Sequence, residues 1–199
     1  DYWAPMGSAL QYYRKSLADF PKKAFLVPDP ARVADYKRQM ELLPGKKIGI
    51  CWRSMMLAAK RAKYFSPIDA WGEVLRTPGI TFVNLQYGDC AAELARAEEK
   101  FGIAIHRVEG LDLKDDIDGT AALGQALDLV LSAPTAAAHT ASSVGAQVWF
   151  LSAGLGWPQM GTAEYPWYPN TKVFWPAKLG DWPDVMPRYA AALADFASR

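Results

Sequence analysis

The sequence predicts an α/β fold, a Rossmann-like parallel sheet with helices on both faces, and three observations support this class. Short apolar runs alternate with helical patterns along most of the chain. One such run, Leu127–Leu131, is almost continuously apolar, as is typical of a strand buried on both faces. Pro134 and Thr135 then end the strand and cap an alanine-rich helix, which stops at Gly145 before the apolar run Val148–Leu151.

The remaining elements follow from their periodicity and their caps. Lys47–Trp52 is the first clear strand, and Ser66-Pro67 supplies a cap and a first-turn proline for a helix that ends near Arg76. A charged amphipathic pattern over Asp89–Phe101 predicts another helix. Further along, the sequence predicts strands at Ile80–Gln86, Ile103–Val108 and Lys172–Trp175 and helices at Thr120–Leu127, Ala136–Ser143 and Asp184–Arg199.

The chain divides into three regions. We interpret residues 1–44 as the tail of an N-terminal domain plus a linker, because an aromatic amphipathic segment is followed there by several prolines. Residues 45–182 form the Rossmann-like domain, and residues 183–199 form a C-terminal helix. Since the chain starts at Asp1 and not at methionine, we expect the remainder of a longer protein to precede it.

The composition argues against several classes of function. The 199 residues are 51% hydrophobic and 22% charged, and the net charge of +1 gives no electrostatic basis for binding nucleic acid. The sequence contains no signal peptide and no apolar run long enough to span a membrane. Cys51 and Cys90 share no disulfide or zinc motif, so we expect a cytoplasmic protein without a metal site.

Ligands of doubly wound sheets bind beyond the carboxyl ends of the strands, so the residues that follow each strand are the candidate site. The helix that follows Thr135 offers free amides at Ala136 and Ala137, and the helix dipole adds attraction for a phosphate. The alternative is an ordinary capped helix whose alanines pack on the sheet. His139 lies one turn into this helix, where a buried structural histidine is the alternative to a ligand contact.

A basic loop follows the first strand and carries Arg53, Lys60, Arg61 and Lys63. Arginine and lysine at this position would neutralise a diphosphate, one as a planar fork and the other as a point charge. The alternative is a solvated loop.

Two further clusters have a simple structural alternative. Four carboxylates lie between Asp112 and Asp118, but their spacing lacks the glycine turn and terminal glutamate of a calcium loop, so helix capping and a solvated turn are favoured over a metal site.

Aromatic residues are frequent between Trp157 and Trp175. They would stack on a base or a sugar, or pack an irregular segment against the sheet, and the packing interpretation is favoured for most of them.

The segment DLVLSAPTAAAHTASSVGAQVW resembles the donor-binding stretch of GT-B glycosyltransferases close to the lipopolysaccharide heptosyltransferases. In that family a DLVIS strand is followed by Asp-Thr, two small residues, a histidine and a helix of small residues. The segments NLQYGD, DLKDDIDGTAAL and YPWYPNTKVF resemble the version found behind tetratricopeptide repeats in bacterial proteins. The resemblance covers about Lys46–Phe174. It departs from the family pattern at Ala133-Pro134, which replaces the aspartate before the threonine.

This resemblance implies the C-terminal half of a GT-B fold, with a nucleotide sugar as donor substrate, a protein or glycan acceptor, no cofactor and no metal. It also implies that the helix over residues 183–199 packs back toward the N-terminal segment. The family's catalytic base belongs to the N-terminal domain, so the catalytic residue is unknown. By matching position, the implied contacts to the donor diphosphate are Arg53, Ser54, Lys60, Lys63, Thr135, Ala136 and His139. The implied contacts to the nucleoside are Gln86, Tyr87, Leu113 and Asp116.

Three functions therefore stand as hypotheses. The leading one is the nucleotide-sugar-binding half of a metal-independent glycosyltransferase. The second is a catalytically inactive α/β interaction module, which the Ala133-Pro134 departure would suit. A dinucleotide-dependent oxidoreductase is the weakest, because Trp52-Arg53-Ser54 follows the first strand where a glycine-rich fingerprint would be needed.

Overall fold

The computed structural model describes residues 3–55 and 59–199 of the chain, with only the backbone described at Met6, Ala59 and Lys60. Its centre is a six-stranded sheet in which every strand pair is parallel. In chain order the strands are β1 (Lys46–Cys51), β2 (Ile80–Asn84), β3 (Ile105–His106), β4 (Leu129–Ser132), β5 (Val148–Leu151) and β6 (Thr171–Phe174). This confirms the predicted fold class.

The spatial order of the strands is β3-β2-β1-β4-β5-β6, so the direction of winding reverses between β1 and β4. These two strands are in register from Ile48 opposite Leu129 to Cys51 opposite Ser132. The amide of Ala133 then donates to the carbonyl of Cys51 over 2.8 Å. The two chain segments that leave β1 and β4 therefore diverge from one point, which is where sheets of this type open a crevice for a ligand.

Helices cover both faces of the sheet. The described helices are α1 (Met6–Tyr13), α2 (Pro30–Glu41), α3 (Ala59–Ala62), α4 (Gly72–Leu75), α5 (Ala91–Phe101), α6 (Ile117–Ala126), α7 (Ala136–Ser143) and α8 (Trp182–Ser198). One face packs against α4, α5 and α8, and the other packs against α2, α6 and α7. None of the described helices has the length and apolar character needed to cross a membrane.

Each central strand divides its side chains between the two hydrophobic cores. Ile48 and Ile50 of β1 face α5 and α8, whereas Cys51 faces α6 and α7. Every residue of β4 and β5 is buried, because both faces of the sheet are covered. A side chain at Gly49 would place its Cβ 2.5 Å from Leu85 Cδ1. Glycine at this position therefore allows Leu85 to pack directly on β1, on the face that α6 and α7 cover.

The structure differs from the predicted boundaries near the first crossover. The helix predicted from Ser66 to Arg76 is a 3₁₀ turn, Ile68–Ala70, followed by the short α4. The reason is tertiary, because Trp71 is buried and its Nε1 donates to Ser66 Oγ over 2.8 Å. This contact holds the chain in a tighter turn than a regular α-helix would allow. The third strand, predicted over six residues, is paired only at Ile105–His106.

The terminal regions pack as parts of the α/β unit. α2, placed in a linker region by the sequence, lies against α6, and Arg32 bonds Asp116 there. α8 packs on α4 and the sheet, where the Tyr189 hydroxyl donates to the carbonyl of Trp149 over 2.9 Å. The N-terminal segment contacts the loop after β5, with the Phe20 and Trp167 rings 4.8 Å apart.

Candidate functional site

The crevice between β1 and β4 is lined by small polar groups that bond one another. Thr135 Oγ1 lies 3.5 Å from Cys51 Sγ and 3.2 Å from Ser132 Oγ, and all three side chains are buried. Burial raises the pKa of the Cys51 thiol to about 11. The thiol is therefore protonated at neutral pH, and it serves as a weak hydrogen-bonding group, not a nucleophile.

Thr135 is the N-cap of α7, as its position in the sequence predicts. Its hydroxyl accepts from the amide of Ala138 over 3.5 Å, and its carbonyl accepts from the amide of His139 over 3.1 Å. These cap bonds do not engage the amides of Ala136 and Ala137, which belong to the first turn of the helix and so lack an intrahelical acceptor. Ala136 is exposed. The N-terminus of α7 therefore presents backbone donors to the crevice.

Arg53 is held by other protein groups. Its Nε donates to both carboxylate oxygens of Glu93 over 3.0 and 2.8 Å, and its Nη2 contacts the same carboxylate and donates to the Asp89 carbonyl over 2.8 Å. The hydrogen bond from Arg53 to Glu93 keeps the guanidinium pKa above its usual value. Burial alone would raise the pKa of Glu93, but hydrogen bonds from Arg53 and Trp52 outweigh it, so this pKa lies below normal. The predicted diphosphate contact is thus half of an ion pair.

The other residues of the basic loop are less constrained. Ser54 is half-buried and accepts from Arg53 Nη1 through its carbonyl over 3.4 Å. Lys63 is exposed, with its Nζ 5.2 Å from the centre of the Tyr64 ring. The side chain of Lys60 lies outside the described residues.

Gln86 has a structural task that the sequence did not indicate. Its side chain is buried, and Oε1 accepts from the amides of Trp52 and Arg53 over 3.1 and 3.0 Å. Its Nε2 donates to the carbonyls of Arg53 and Tyr87, each over 3.0 Å. Since both ends of the amide are occupied, Gln86 clamps the turn after β1 to the turn after β2, and its side chain has no free group for a nucleoside.

The loops after β2 and β3 enclose a cleft of about 400 Å³. Tyr87 and Leu113, both predicted nucleoside contacts, lie in its wall, together with the backbone near Gln86. Other apolar lining comes from Leu94, Val108 and Leu111, and polar lining comes from Asp89, Asp112 and Lys114. We call this space the nucleoside cleft. The name refers to the two predicted contacts in its wall, and the mixture of apolar and polar lining is typical of a small-molecule pocket.

Asp116 does not line the nucleoside cleft, although the sequence places it among the nucleoside contacts. Its carboxylate accepts from the amide of Gly119 over 2.9 Å as the cap of α6, and from Arg32 Nη1 over 2.9 Å. The hydrogen bond from Arg32 lowers the pKa of Asp116 to about 2. A Cβ at Gly119 would lie 2.2 Å from Arg32 Nη2, so a larger residue at this junction of α2 and α6 would displace the arginine from its place beside Asp116. Asp116 therefore holds the loop that forms one wall of the cleft.

The acidic segment caps and turns the chain, as the preferred interpretation predicts. Asp112 accepts from the amides of Lys114 and Asp115 over 2.8 and 3.0 Å. Within the described residues, no three histidine, cysteine or acidic side chains are placed to hold a metal ion.

A second cavity, of about 300 Å³, lies on the other side of the α7 N-terminus. Its wall consists of residues from the loops after β1, β4, β5 and β6, and none of them is charged. Pro134 lies in this wall and joins β4 to α7. We call this space the Pro134 cavity. The replacement of a family aspartate by Ala133-Pro134 thus gives an apolar wall where the resemblance would have put a carboxylate.

His139 belongs to an aromatic cluster. Its Nδ1 lies 3.0 Å from the Tyr168 hydroxyl, and its ring stacks on Tyr165 at a centroid distance of 5.8 Å. Burial lowers the pKa of His139, so the imidazole is neutral at pH 7. Trp167 also packs within the protein and donates to the Pro158 carbonyl over 3.0 Å, whereas Trp157 is exposed. Most of these aromatic side chains therefore fix the loop after β5, as the packing interpretation predicts.

Sequence reasoning missed Glu93 and Arg32, the partners of two predicted site residues. The helical pattern over Asp89–Phe101 places Glu93 in a first turn, where a carboxylate favours the helix dipole. That signal identifies a stabilising position and says nothing of Arg53, which is 40 positions away in the chain.

The chain matches no protein-family model. It is 48% identical over 200 residues to Protein FlbA of Caulobacter vibrioides, in an alignment that covers 100% of this chain and 34% of FlbA. The chain thus spans about a third of the length of this relative, whose name states no activity.

Three solved structures that share this fold are glycosyltransferases. The Escherichia coli ADP-heptose LPS heptosyltransferase II matches with a TM-score of 0.62 at 14% identity, over 94% of this chain and 58% of that one. A glycosyl transferase family 9 structure from Veillonella parvula matches with a TM-score of 0.57 at 12% identity, over 79% of this chain and 44% of that one. The E. coli heptosyltransferase WaaC with ADP-2-deoxy-2-fluoro heptose matches with a TM-score of 0.53 at 16% identity, over 78% and 43%.

At these identities the likeness establishes the fold alone. The chain has the heptosyltransferase-like Rossmann fold of a GT-B glycosyltransferase, as the resemblance predicts, and it corresponds to about half of each of these structures.

Proposed function

We propose that this chain is the nucleotide-sugar-binding domain of a metal-independent glycosyltransferase whose acceptor is a protein or a glycan. The observation that carries the proposal is the order of three features along one edge of the sheet. The nucleoside cleft lies beyond β2 and β3, the α7 N-terminus follows β4, and the Pro134 cavity lies beyond β4 and β5. A nucleoside, its phosphates and an attached sugar follow one another in the same order.

Each part of the donor has a matching environment. The base and ribose would lie between Tyr87 and Leu113, and the phosphates would accept from the amides of Ala136 and Ala137. The sugar would project toward Pro134. The heptosyltransferase WaaC, which shares this fold, holds an ADP-sugar analogue, and this supports a nucleotide sugar as the class of ligand.

The chemistry that this domain supplies is stabilisation of the leaving phosphate. Charge develops on the phosphate oxygens as the bond to the sugar breaks, and fixed backbone dipoles at a helix N-terminus lower the energy of that charge. Lys63 in the loop after β1 would add a mobile positive charge. We assign no catalytic base among these residues.

Calorimetric titration of the folded domain with ADP, UDP, GDP, CDP and the matching monophosphates tests the proposal. We expect saturable binding that depends on the base. Ala136→Pro should weaken it at least fivefold, because proline removes one donor, suits the first position of a helix and follows a residue that is already extended. Ala136→Gly, which keeps the amide, is the matched control and should bind like the wild type.

A second pair of variants tests the nucleoside cleft. Leu113→Trp fills the cleft and should abolish nucleotide binding, whereas Leu42→Trp, at a residue that is 86% exposed, should have no effect. A folded wild-type domain that binds none of these nucleotides at millimolar concentration would reject the proposal.

An inactive interaction module is the second candidate, and two observations favour it. Ala133-Pro134 stands where the family has an aspartate before the threonine, so that carboxylate is absent. Arg53, a predicted phosphate contact, already forms an ion pair with Glu93. A domain that binds no nucleotide but retains a protein partner after Ala136→Pro would support this alternative.

A further inference from the structure

Glu93 is the acceptor for a set of donors that converge from the end of β1. Its carboxylate accepts from Trp52 Nε1 over 3.1 Å and from Arg53 Nε and Nη2. The Arg53 side chain is 11% exposed and that of Glu93 is 24% exposed, so water screens this pair only weakly. The carboxylate also lies in the first turn of α5, where the helix dipole favours a negative charge.

These bonds determine which nitrogen of the Arg53 guanidinium can contact a ligand. Nε and Nη2 form one of the two sides of the guanidinium that can bind a phosphate through two parallel bonds, and both are directed at Glu93. Nη2 also belongs to the other side, so neither side is fully open. Nη2 also donates to the carbonyl of Asp89, which lines the nucleoside cleft. Nη1 has a long contact, of 3.4 Å, to the Ser54 carbonyl. Among the described residues, Nη1 is therefore the nitrogen of Arg53 with the weakest protein contact, and it is the one that would donate to a ligand.

We propose that Glu93 is a positioning residue of the phosphate site, which acts through Arg53. It holds the guanidinium in one orientation, occupies Nε and Nη2, and offsets the positive charge. A bound phosphate would then receive a hydrogen bond from Nη1 alone. This inference rests on the proposed function, because it assigns a task at the same donor site. It explains why an arginine directly after the first strand is paired at all.

The stability of the fold is a weaker explanation for this pair. A buried ion pair is often no more stabilising than apolar side chains of similar size, because both charges must leave water. The pair instead connects the segment after β1 to the first turn of α5, which begins at the wall of the cleft. It therefore fixes the position of Arg53 relative to the cleft.

Titration with inorganic pyrophosphate tests the proposal without involving the base or the sugar. Glu93→Gln removes the negative charge and frees Arg53, so we expect about tenfold tighter binding of pyrophosphate, the effect of losing one nearby like charge, and a steeper dependence on salt. Glu99→Gln removes the same charge from an exposed position of the same helix and should leave affinity unchanged.

A double-mutant cycle separates an effect through Arg53 from a general change of charge. In an Arg53→Gln background, Glu93→Gln should no longer tighten pyrophosphate binding. Glu93→Asp, which keeps the charge on a shorter side chain, should restore wild-type salt dependence and is the variant to use if Glu93→Gln does not fold.

Two results would overturn the proposal while leaving the proposed function intact. One is equal pyrophosphate affinity for Glu93→Gln and Glu99→Gln in a domain that binds nucleotides. The other is an unchanged effect of Glu93→Gln in the Arg53→Gln background. A folded wild-type domain that binds neither pyrophosphate nor any nucleotide would reject both the positioning role and the proposed function.

Discussion

Cys51 Sγ lies 3.5 Å from Thr135 Oγ1, and this contact joins the two strands from which the candidate site diverges. Cys51 ends β1 and Thr135 begins the turn into α7, so the contact sets the distance between the loop after β1 and the helix N-terminus. The thiol is protonated because burial raises its pKa to about 11, and a neutral pair of this kind suits a site whose ligand is an anion. The same threonine therefore caps a helix and fixes the floor of the crevice.

Removal of the Thr135 hydroxyl should destabilise the protein. Thr135→Val keeps the shape but deletes the cap of α7 and the contacts to Cys51 and Ser132, so we expect a loss of about 1–2 kcal/mol in the free energy of unfolding. Urea denaturation followed by circular dichroism measures this. Thr140→Val changes a half-buried threonine of the same helix away from the cap and is the control. Equal losses in both variants would contradict a capping role.

Gln86→Met should destabilise the protein and also weaken nucleotide binding. The substitution keeps the volume but leaves the buried amides of Trp52 and Arg53 without their side-chain acceptor, which costs about 2–3 kcal/mol in unfolding free energy. Denaturation and nucleotide titration should both change, because the clamped turns form the site. The exposed Gln125, which donates to the Val144 carbonyl, provides Gln125→Met as a control with a small effect. A stable Gln86→Met variant would show that the clamp is dispensable.

The ion pair between Arg32 and Asp116 should make stability depend on pH in the acid range. The pKa of Asp116 falls from 3.8 to about 2 in the folded protein, so its contribution is complete above pH 3.8 and is lost as the pH falls toward 2. The difference in unfolding free energy between wild type and Asp116→Asn should therefore shrink across that interval. Asp115→Asn, at an exposed carboxylate that pairs with Lys114, is the control. A difference that stays constant with pH would contradict the assigned pKa.

His139 should cause a second loss of stability as the pH falls, in a range less acidic than that of Asp116. Burial lowers its pKa below 6.5, so the unfolded chain binds a proton before the folded protein does. Its contribution is present above pH 6.5 and declines as the pH falls below that value. His139→Phe keeps an aromatic ring beside Tyr165 and should flatten the stability profile between about pH 7 and 5. An equal slope in the wild type and the His139→Phe variant would exclude His139 as its source.

The sequence predicted the fold, and it placed the candidate site at the edge of the sheet where the strands end. The apolar run Leu127–Leu131 and the cap at Thr135 are local features, readable because burial on two faces and an N-cap each require particular residue types. Tyr87 and Leu113 lie in the nucleoside cleft because both follow strands, and the carboxyl ends of parallel strands meet at one edge.

The tertiary structure alone decided which charged and polar side chains are free. Arg53 and Asp116 carry the residue types expected of a ligand site, yet Glu93 and Arg32 occupy them. The partners are 40 and 84 positions distant in the chain, and composition and periodicity contain no record of which side chains meet over such separations. The local pattern of apolar and polar residues determines the helices and strands and which of their faces is buried. Pairing depends on how the helices pack against the sheet, and among the described residues it occupies Nε and Nη2 of Arg53 with Glu93.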